Sequence, residues 1–235
     1  KGANLEEIVV EIVGDEVEFS KEAASFKKII FNGIDGNQVI DMMFGGNGAA
    51  FDTKAEIEFN YLTLNRPDPE PAGRRDHHFY VRGGLTYNYC KLYGLFNVSV
   101  QNTTFNHCEF WNNGNNNSMA NNYVLWLYNS KDVVVNVIDC DFNVTNRAIK
   151  MYAYDMAGNM TLNISGTDFV AEQGQNSKTV VEMTFENCDG NAVMLLNIDE
   201  NTCTKKNFGA PEHIEEITTS NAWFNSEIRG TDTAK

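Results

Sequence analysis

The sequence predicts an all-β chain wound as a β-solenoid, and three observations carry that prediction. Strand-like runs recur at a loose period: residues 103–110 (TTFNHCEF) align with residues 135–142 (VNVIDCDF), 32 positions on, placing Cys108 over Cys140 and Phe110 over Phe142. Between such runs lie segments with the strict alternation of a half-buried strand, and no helical period of useful length appears. Asparagine supplies 31 of the 235 residues, and Asn tolerates left-handed backbone better than any residue but Gly, so the chain turns often.

The elements follow in order. Residues 14–19 read as a strand, residues 20–24 as one short helical turn with Ser20 as N-cap, and residues 28–34 as the next strand. Asp35, Gly36 and Asn37 turn into a strand over 38–44. Residues 57–64 place Leu62 and Leu64 46 positions ahead of Cys108 and Phe110, which is about two turns of 23. Residues 163–169 continue the register with Thr167 and Phe169, 27 positions beyond Cys140 and Phe142, and residues 181–188 add Cys188 after another 21. Second strands of the coils fall at 123–128, 148–153 and 192–197. A period of roughly 21 to 32 residues with two or three short strands is that of a solenoid coil, so the chain is expected to form about eight or nine coils in a rod on the order of 40 Å long. Residues 1–235 read as a single domain, expected to be part of a larger surface protein because strand-like residues persist at 214–217 and 222–224.

The opening resembles the first coils of right-handed parallel β-helix proteins of the pectate-lyase-like superfamily. There a strand and short helical turn precede a segment running from a lysine through apolar strand residues and two glycines to an isoleucine, as Lys28 to Ile40 do here. The N-x-x-C-x-F and R-A-I-K segments (146–150) resemble the body of such helices. The resemblance, over residues 8–200, implies right-handedness and admits polysaccharide lyase or glycosidase chemistry. Stacked coils would place like residues over like, building Cys, Phe and Asn ladders without any ligand.

Composition narrows the function. With 18 Lys plus Arg against 32 Asp plus Glu, the formal charge is −14 and the pI about 4.6, which disfavours nucleic acid and anionic membranes as partners. No apolar run reaches the roughly 18 residues of a membrane span. Five cysteines without a CxxC pair read as small core residues. No cofactor or metal is expected, calcium entering only if the protein is a lyase, since loops of the EF-hand form are absent. Six Asn-x-Ser/Thr sequons (Asn97, Asn102, Asn116, Asn143, Asn159, Asn163) are compatible with export.

Three places carry candidate chemistry. Residues 65–78 read as a long excursion that gathers Arg74, Arg75, Asp76, His77 and His78, with Arg82 beyond it. A lyase needs a base and a cation against the substrate carboxylate, and Arg or Lys suits both roles. Residues 146–155 put Arg147, Lys150 and Tyr152 near one outward patch, with Trp126 and Tyr128, or alternatively Leu125 and Leu127, on the neighbouring coil. A Lys beside aromatic rings can hold a sugar by stacking and hydrogen bonds. The Asn-rich stretch after Phe110 adds Trp111, Asn112 and Asn113, rich in donors and acceptors but without an acid. Asp139, Asp141, Asp155, Asp168 and Glu182 supply carboxylates for a glycosidase pair without any distinctive local pattern. The leading expectation is a secreted or cell-surface recognition module, monomeric and without catalysis, that binds a polysaccharide or a surface protein. The alternatives are a lyase or glycoside hydrolase on the same fold, with Arg74, Arg75, Asp76, His77, His78, Arg82 and Lys150 as its residues, and a structural spacer.

Overall fold

The computed structural model describes residues 7–12, 16–18, 27–41, 51–64, 76–81, 83–98, 102–111, 123–144, 148–172, 181–188, 192–199, 202–206, 214–216 and 224–229. Among these every regular element is a strand, and the strands gather into three long sheets. Sheet I contains Glu7–Glu11, Lys28–Asn32, Glu56–Asn60, Leu85–Asn88, Thr103–Asn106, Val133–Ile138, Gly158–Ser165 and Ala192–Asp199. Sheet II contains Glu16–Glu18, Val39–Asp41, Thr63–Leu64, Lys91–Tyr93, Glu109–Trp111, Asp141–Val144, Asp168–Glu172 and Thr202–Lys206, with Ile214–Glu216 added antiparallel at its end. Sheet III contains Phe51–Thr53, Asp76–Val81, Leu95–Val98, Leu125–Tyr128, Ile149–Tyr154, Val181–Glu186 and Phe224–Arg229. All other pairings are parallel, each strand lying between its predecessor and successor in the same sheet. The chain visits the sheets in turn, so one strand from each makes a rung, an arrangement consistent with a parallel β-solenoid. Residues 20–24, expected as a helical turn, lie outside the described residues.

Alternation decides which side chains fill the interior. In Ile149–Tyr154 the odd-numbered residues Ile149, Met151 and Ala153 are buried while Lys150 and Tyr152 are half-buried and Tyr154 is exposed. Parallel in-register pairing then stacks the buried residues into ladders. Phe31, Phe59, Tyr87 and Phe105 stack through sheet I with ring centroids 5.1, 5.4 and 4.8 Å apart. Phe110, Phe142 and Phe169 stack through sheet II at 4.2 and 4.7 Å, which is the repeat read from the sequence. Edge-to-face contacts between Phe105 and Phe110 and between Tyr87 and Phe96 join the three inner faces.

The corner between sheets I and II is a two-residue device. Its first residue adopts left-handed backbone: Tyr61, Tyr89, His107, Asp139 and Gly166 have φ between 48° and 57° in successive rungs, with Asp139 at 49° and Gly166 at 56°. Its second residue points inward: Leu62, Cys90, Cys108, Cys140 and Thr167 are buried. The backbone N–H of Cys108 donates to Cys140 Sγ at 3.4 Å, and that of Cys140 to Thr167 Oγ1 at 3.4 Å. At Gly166 a Cβ would meet Asp139 Oδ1, so a side chain there would need the Asp139 carboxylate to turn aside. The cysteine ladder is therefore structural: Cys90, Cys108 and Cys140 are free thiols, and burial pushes Cys108 and Cys140 far above the usual thiol range.

Two readings of the repeat are corrected. Cys188 does not continue the Cys108 column, because its strand, Val181–Glu186, pairs with Ile149–Tyr154 in sheet III. Conversely the run 192–197, expected beside 123–128 and 148–153, belongs to sheet I next to Gly158–Ser165. Both runs alternate alike, and only the three-sheet cycle distinguishes them. The two-turn spacing from Leu62 to Cys108 holds, but through unequal steps of 28 and 18 residues, the offsets that separate Asn60 from Asn88 and Asn88 from Asn106.

Candidate functional site

Sheet III positions the expected outward patch. Register pairs Trp126 with Lys150 and Glu182, and Tyr128 with Tyr152 and Thr184. Leu125 and Leu127 are fully buried in the core, so of the two alternatives Trp126 and Tyr128 are the outward pair. Alternation brings them against Lys150 and Tyr152 although the sequence separates the two strands by a full coil. The rings of Tyr128 and Tyr152 stack at 5.6 Å and 16°, while Trp126 stands at 5.5 Å and 72° to Tyr128 and at 6.5 Å and 59° to Tyr152. All three aromatics are half-buried, and together they form an aromatic patch on the outer face.

Polar groups around this patch are engaged with one another, with two exceptions. Lys150 Nζ lies 3.2 Å from Glu182 Oε1, the side chains being 15% and 7% exposed. The same ammonium sits 5.2 and 5.1 Å from the ring centroids of Tyr123 and Tyr152. Tyr152 donates its hydroxyl to Glu186 Oε2 at 2.6 Å. The exceptions are Trp126 Nε1 and Thr184 Oγ1, both buried with no hydrogen-bond partner among the described residues, on strands that lie either side of Ile149–Tyr154. An indole N–H is a donor only, and a threonine hydroxyl both donates and accepts. Leaving such groups unpaired in a dry environment costs about 1–3 kcal/mol each, so they are places where an added oxygen would be favoured.

Sequence reasoning missed Tyr123, Glu182 as the partner of Lys150, Thr184 and Glu186. The signal that finds them is a register across sheet III, 32 residues from Lys150 to Glu182 and 34 from Tyr152 to Glu186. Trp111 falls elsewhere, on the outer face of sheet II. It stacks on Tyr93 at 6.2 Å and donates to Glu109 Oε2 at 3.2 Å. Beside it Glu109, Asp141 and Asp168 lie in register on consecutive strands. Burial, then the charges of Asp168 and Glu109, raise the Asp141 carboxyl above its usual value. Asp139 lies instead on the sheet I/II corner, 3.8 Å from His107 Nε2, and Asp155 at a left-handed corner after Tyr154. The expected site is thus two faces.

Asp76, His77 and His78 belong to the sheet III strand Asp76–Val81, paired with Leu95, Phe96 and Asn97, so the excursion expected over 65–78 ends before them. Their side chains, and Arg74, Arg75, Arg82, Asn112, Asn113 and Arg147, lie outside what the structure describes. A shallow depression of about 210 Å³ on the outer face of sheet I is lined by Lys28, Glu58, Gly84, Thr86, Asn102 and Thr104 among others. Its charges are already joined, Lys28 Nζ meeting Glu58 Oε2 at 2.7 Å. Among the described residues no group of three or more His, Cys, Asp or Glu is arranged to hold a metal ion, and no helix is long and apolar enough to cross a membrane. Comparison with known proteins finds no matching family model, no matching curated protein and no matching solved structure.

Proposed function

We propose that the protein is a right-handed parallel β-helix of about eight or nine turns that serves outside the cell as a recognition module, binding a glycan on the aromatic patch of sheet III without catalysis. Handedness follows the strong right-handed preference of parallel crossovers. The observation that carries the binding reading is the unpartnered Trp126 Nε1 buried beside the stacked Tyr128 and Tyr152 rings. Aromatic rings give a sugar its apolar contact while buried donors fix its orientation, the usual division of labour in a small-molecule site. Lys150 argues against a lyase here: its ammonium is held by Glu182 and two tyrosine rings, so it is poorly placed to accept a proton from a substrate carbon. The test is calorimetric titration of the protein with a panel of oligosaccharides. Binding that weakens in Trp126→Ala and is unaffected by Trp111→Ala supports the sheet III patch. Equal binding by both variants removes it.

A glycoside hydrolase on the sheet II face is the second reading, favoured by one observation. Asp141, exposed but with its carboxyl raised above its usual value and flanked in register by Glu109 and Asp168, is the candidate general acid beside carboxylates able to act as base or nucleophile. Reducing ends released from a neutral polysaccharide by the wild type, and lost in Asp141→Asn, would establish this reading. No release from any polysaccharide in the panel would discard it.

A further inference from the structure

We propose that Asn102 and Asn159 are sites of N-linked glycosylation and that Asn97 and Asn163, which carry the same Asn-x-Ser/Thr pattern, are not. The inference rests on the extracellular part of the reading above and is independent of whether the protein binds a glycan. Its ground is how differently the fold treats these four asparagines. Asn97 is 5% exposed on the sheet III strand Leu95–Val98. Asn163 is half-buried in an amide column of sheet I, where its Nδ2 donates to Asn136 and its Oδ1 accepts from Asn197, both at 2.8 Å. Asn102 and Asn159 are exposed. Asn159 is held by its backbone alone, its N–H and carbonyl being joined to Asp132, and its side-chain amide has no partner among the described residues. Asn102 uses Oδ1, which accepts the N–H of Val134 at 2.9 Å, and keeps Nδ2 free among the described residues. The third residues of both patterns, Thr104 and Thr161, are half-buried on the outer face of sheet I. Asn116 lies outside the described residues, as does Thr145, on which the Asn143 pattern depends.

The step itself needs an accessible amide and a lipid-pyrophosphate-linked oligosaccharide. The nitrogen Nδ2 forms a bond to the anomeric carbon, the bond from that carbon to the pyrophosphate oxygen breaks with its electron pair leaving on the pyrophosphate, and one Nδ2 proton passes to a base of the transferase. The product keeps Oδ1 and one N–H, so the bond from Val134 to Asn102 survives. A sugar on Asn163 would be wedged between Asn136 and Asn197 on the adjacent strands, and one on Asn97 would be carried into a buried position. Transfer precedes folding, so chains modified there lose native packing and are absent from folded, secreted material.

The surroundings of the accessible pair also suit a sugar. Val134, 37% exposed, stands in register with Thr161, and Thr161 with Leu195, 46% exposed. The first sugar of each glycan would lie over these outward apolar side chains and remove part of their surface from water. Asn102 immediately precedes the strand Thr103–Asn106, and Asn159 is the second residue of Gly158–Ser165. The two sites are thus two rungs apart, about 10 Å along sheet I, at the end where its strands begin, and both glycans would project from the side on which the chain passes from sheet III to sheet I.

The experiment is expression of the whole chain behind a secretory leader in cultured animal cells. The secreted protein is treated with peptide N-glycosidase in heavy-oxygen water, so that each Asn that carried a glycan is read by mass spectrometry as a labelled Asp. The expected result is label at Asn102 and Asn159 and none at Asn97 or Asn163. Asn159→Gln and Thr161→Ala, the second of which leaves Asn159 in place, should each remove the same single glycan mass from the intact secreted protein. Label at Asn97 or Asn163, or its absence from Asn102 or Asn159, would overturn the assignment and leave the sheet III reading to its own titration. Retention of the chain inside the cell without glycan would overturn the extracellular reading together with this inference.

Discussion

The outer faces of sheets I and III are built on the same parallel scaffold and differ in what they repeat. On sheet I like stands over like. Asn60 Nδ2 donates to Asn32 Oδ1, Asn88 to Asn60 and Asn106 to Asn88, at 2.8, 2.8 and 3.2 Å. A second amide column, two residues earlier in the strand, runs from Asn136 through Asn163 to Asn197 at 2.8 Å per step. An amide that both donates and accepts can be stacked indefinitely, each copy satisfying the next. On sheet III one column reads Trp126, Lys150, Glu182, unlike over unlike, and the other repeats once, Tyr128 over Tyr152, before it breaks at Thr184, with two atoms unsatisfied among the described residues. A face that repeats itself is explained by the fold. One that breaks the repeat and leaves polar groups unpaired needs another explanation, and a ligand supplies it.

Substitutions can break that contrast, and the largest effect is expected at Lys150. Lys150→Ala removes the ammonium 3.2 Å from the nearly buried Glu182, so chemical denaturation should show a loss of about 3 kcal/mol; loss of under about 1 kcal/mol would mean that the other groups around Glu182 hold its charge or that it takes up a proton. Next comes Asn60→Ala in the middle of the amide column, which leaves Asn32 and Asn88 each short of a partner. A loss of about 1–2 kcal/mol is expected, with oligosaccharide binding unchanged; a defect in binding would blur the distinction between the two faces. Smallest is the Lys28–Glu58 pair on sheet I, worth at most about 1 kcal/mol because both side chains reach solvent. Burial works against the Glu58 carboxylate, but the bonds from Lys28 and Asn60 and the charge of Lys28 hold its pKa below the ordinary value. Its contribution is therefore complete above the ordinary glutamate range and disappears as pH falls through the lowered folded-state value. The difference in stability between the wild type and Glu58→Gln should shrink over that acid window, and a difference that grows on acidification would reverse the assignment. The thiols make a further check on the interior: with Cys108 and Cys140 pushed far above the usual range by burial, a thiol reagent at neutral pH should modify these two only as the protein unfolds.

Much of this was legible in the sequence wherever a rung repeats its residue type. Phe110, Phe142 and Phe169, and Cys108 with Cys140, announce their ladders because identical side chains recur at the same distance from a turn. Asparagine was legible as a residue of turns, yet most of its work on sheet I is done within strands, in ladders that only registration reveals. Legibility ends where unlike residues share a column. Lys150 and Glu182 have nothing in common in sequence, and their pairing depends on a connection whose length varies from rung to rung. The sheet I/II corner hid a different feature. Left-handed backbone favours Gly, Asn and Asp, as at Asn129, Asp155 and Asn187, whereas three consecutive rungs use Tyr61, Tyr89 and His107. Those rings stack at 4.9 and 4.8 Å, and neighbour-on-neighbour contact offsets a conformation that is unfavourable for each residue alone.

The uneven rungs bear on how the chain acquires its structure. Along sheet I, from Asn32 to Asn197, partners on adjacent strands are separated by 18, 27, 28, 32 or 34 residues, and each strand touches only the one before and the one after. No contact along this sheet has to wait for the two ends of the chain to meet. A few adjacent rungs can therefore nucleate anywhere along it and grow by adding one rung at a time, the loop to be closed at each step being set by the local connection and not by the total length. The 18-residue step between Asn88 and Asn106 closes the smallest loop of this series, so by loop length alone that rung costs the least entropy to form.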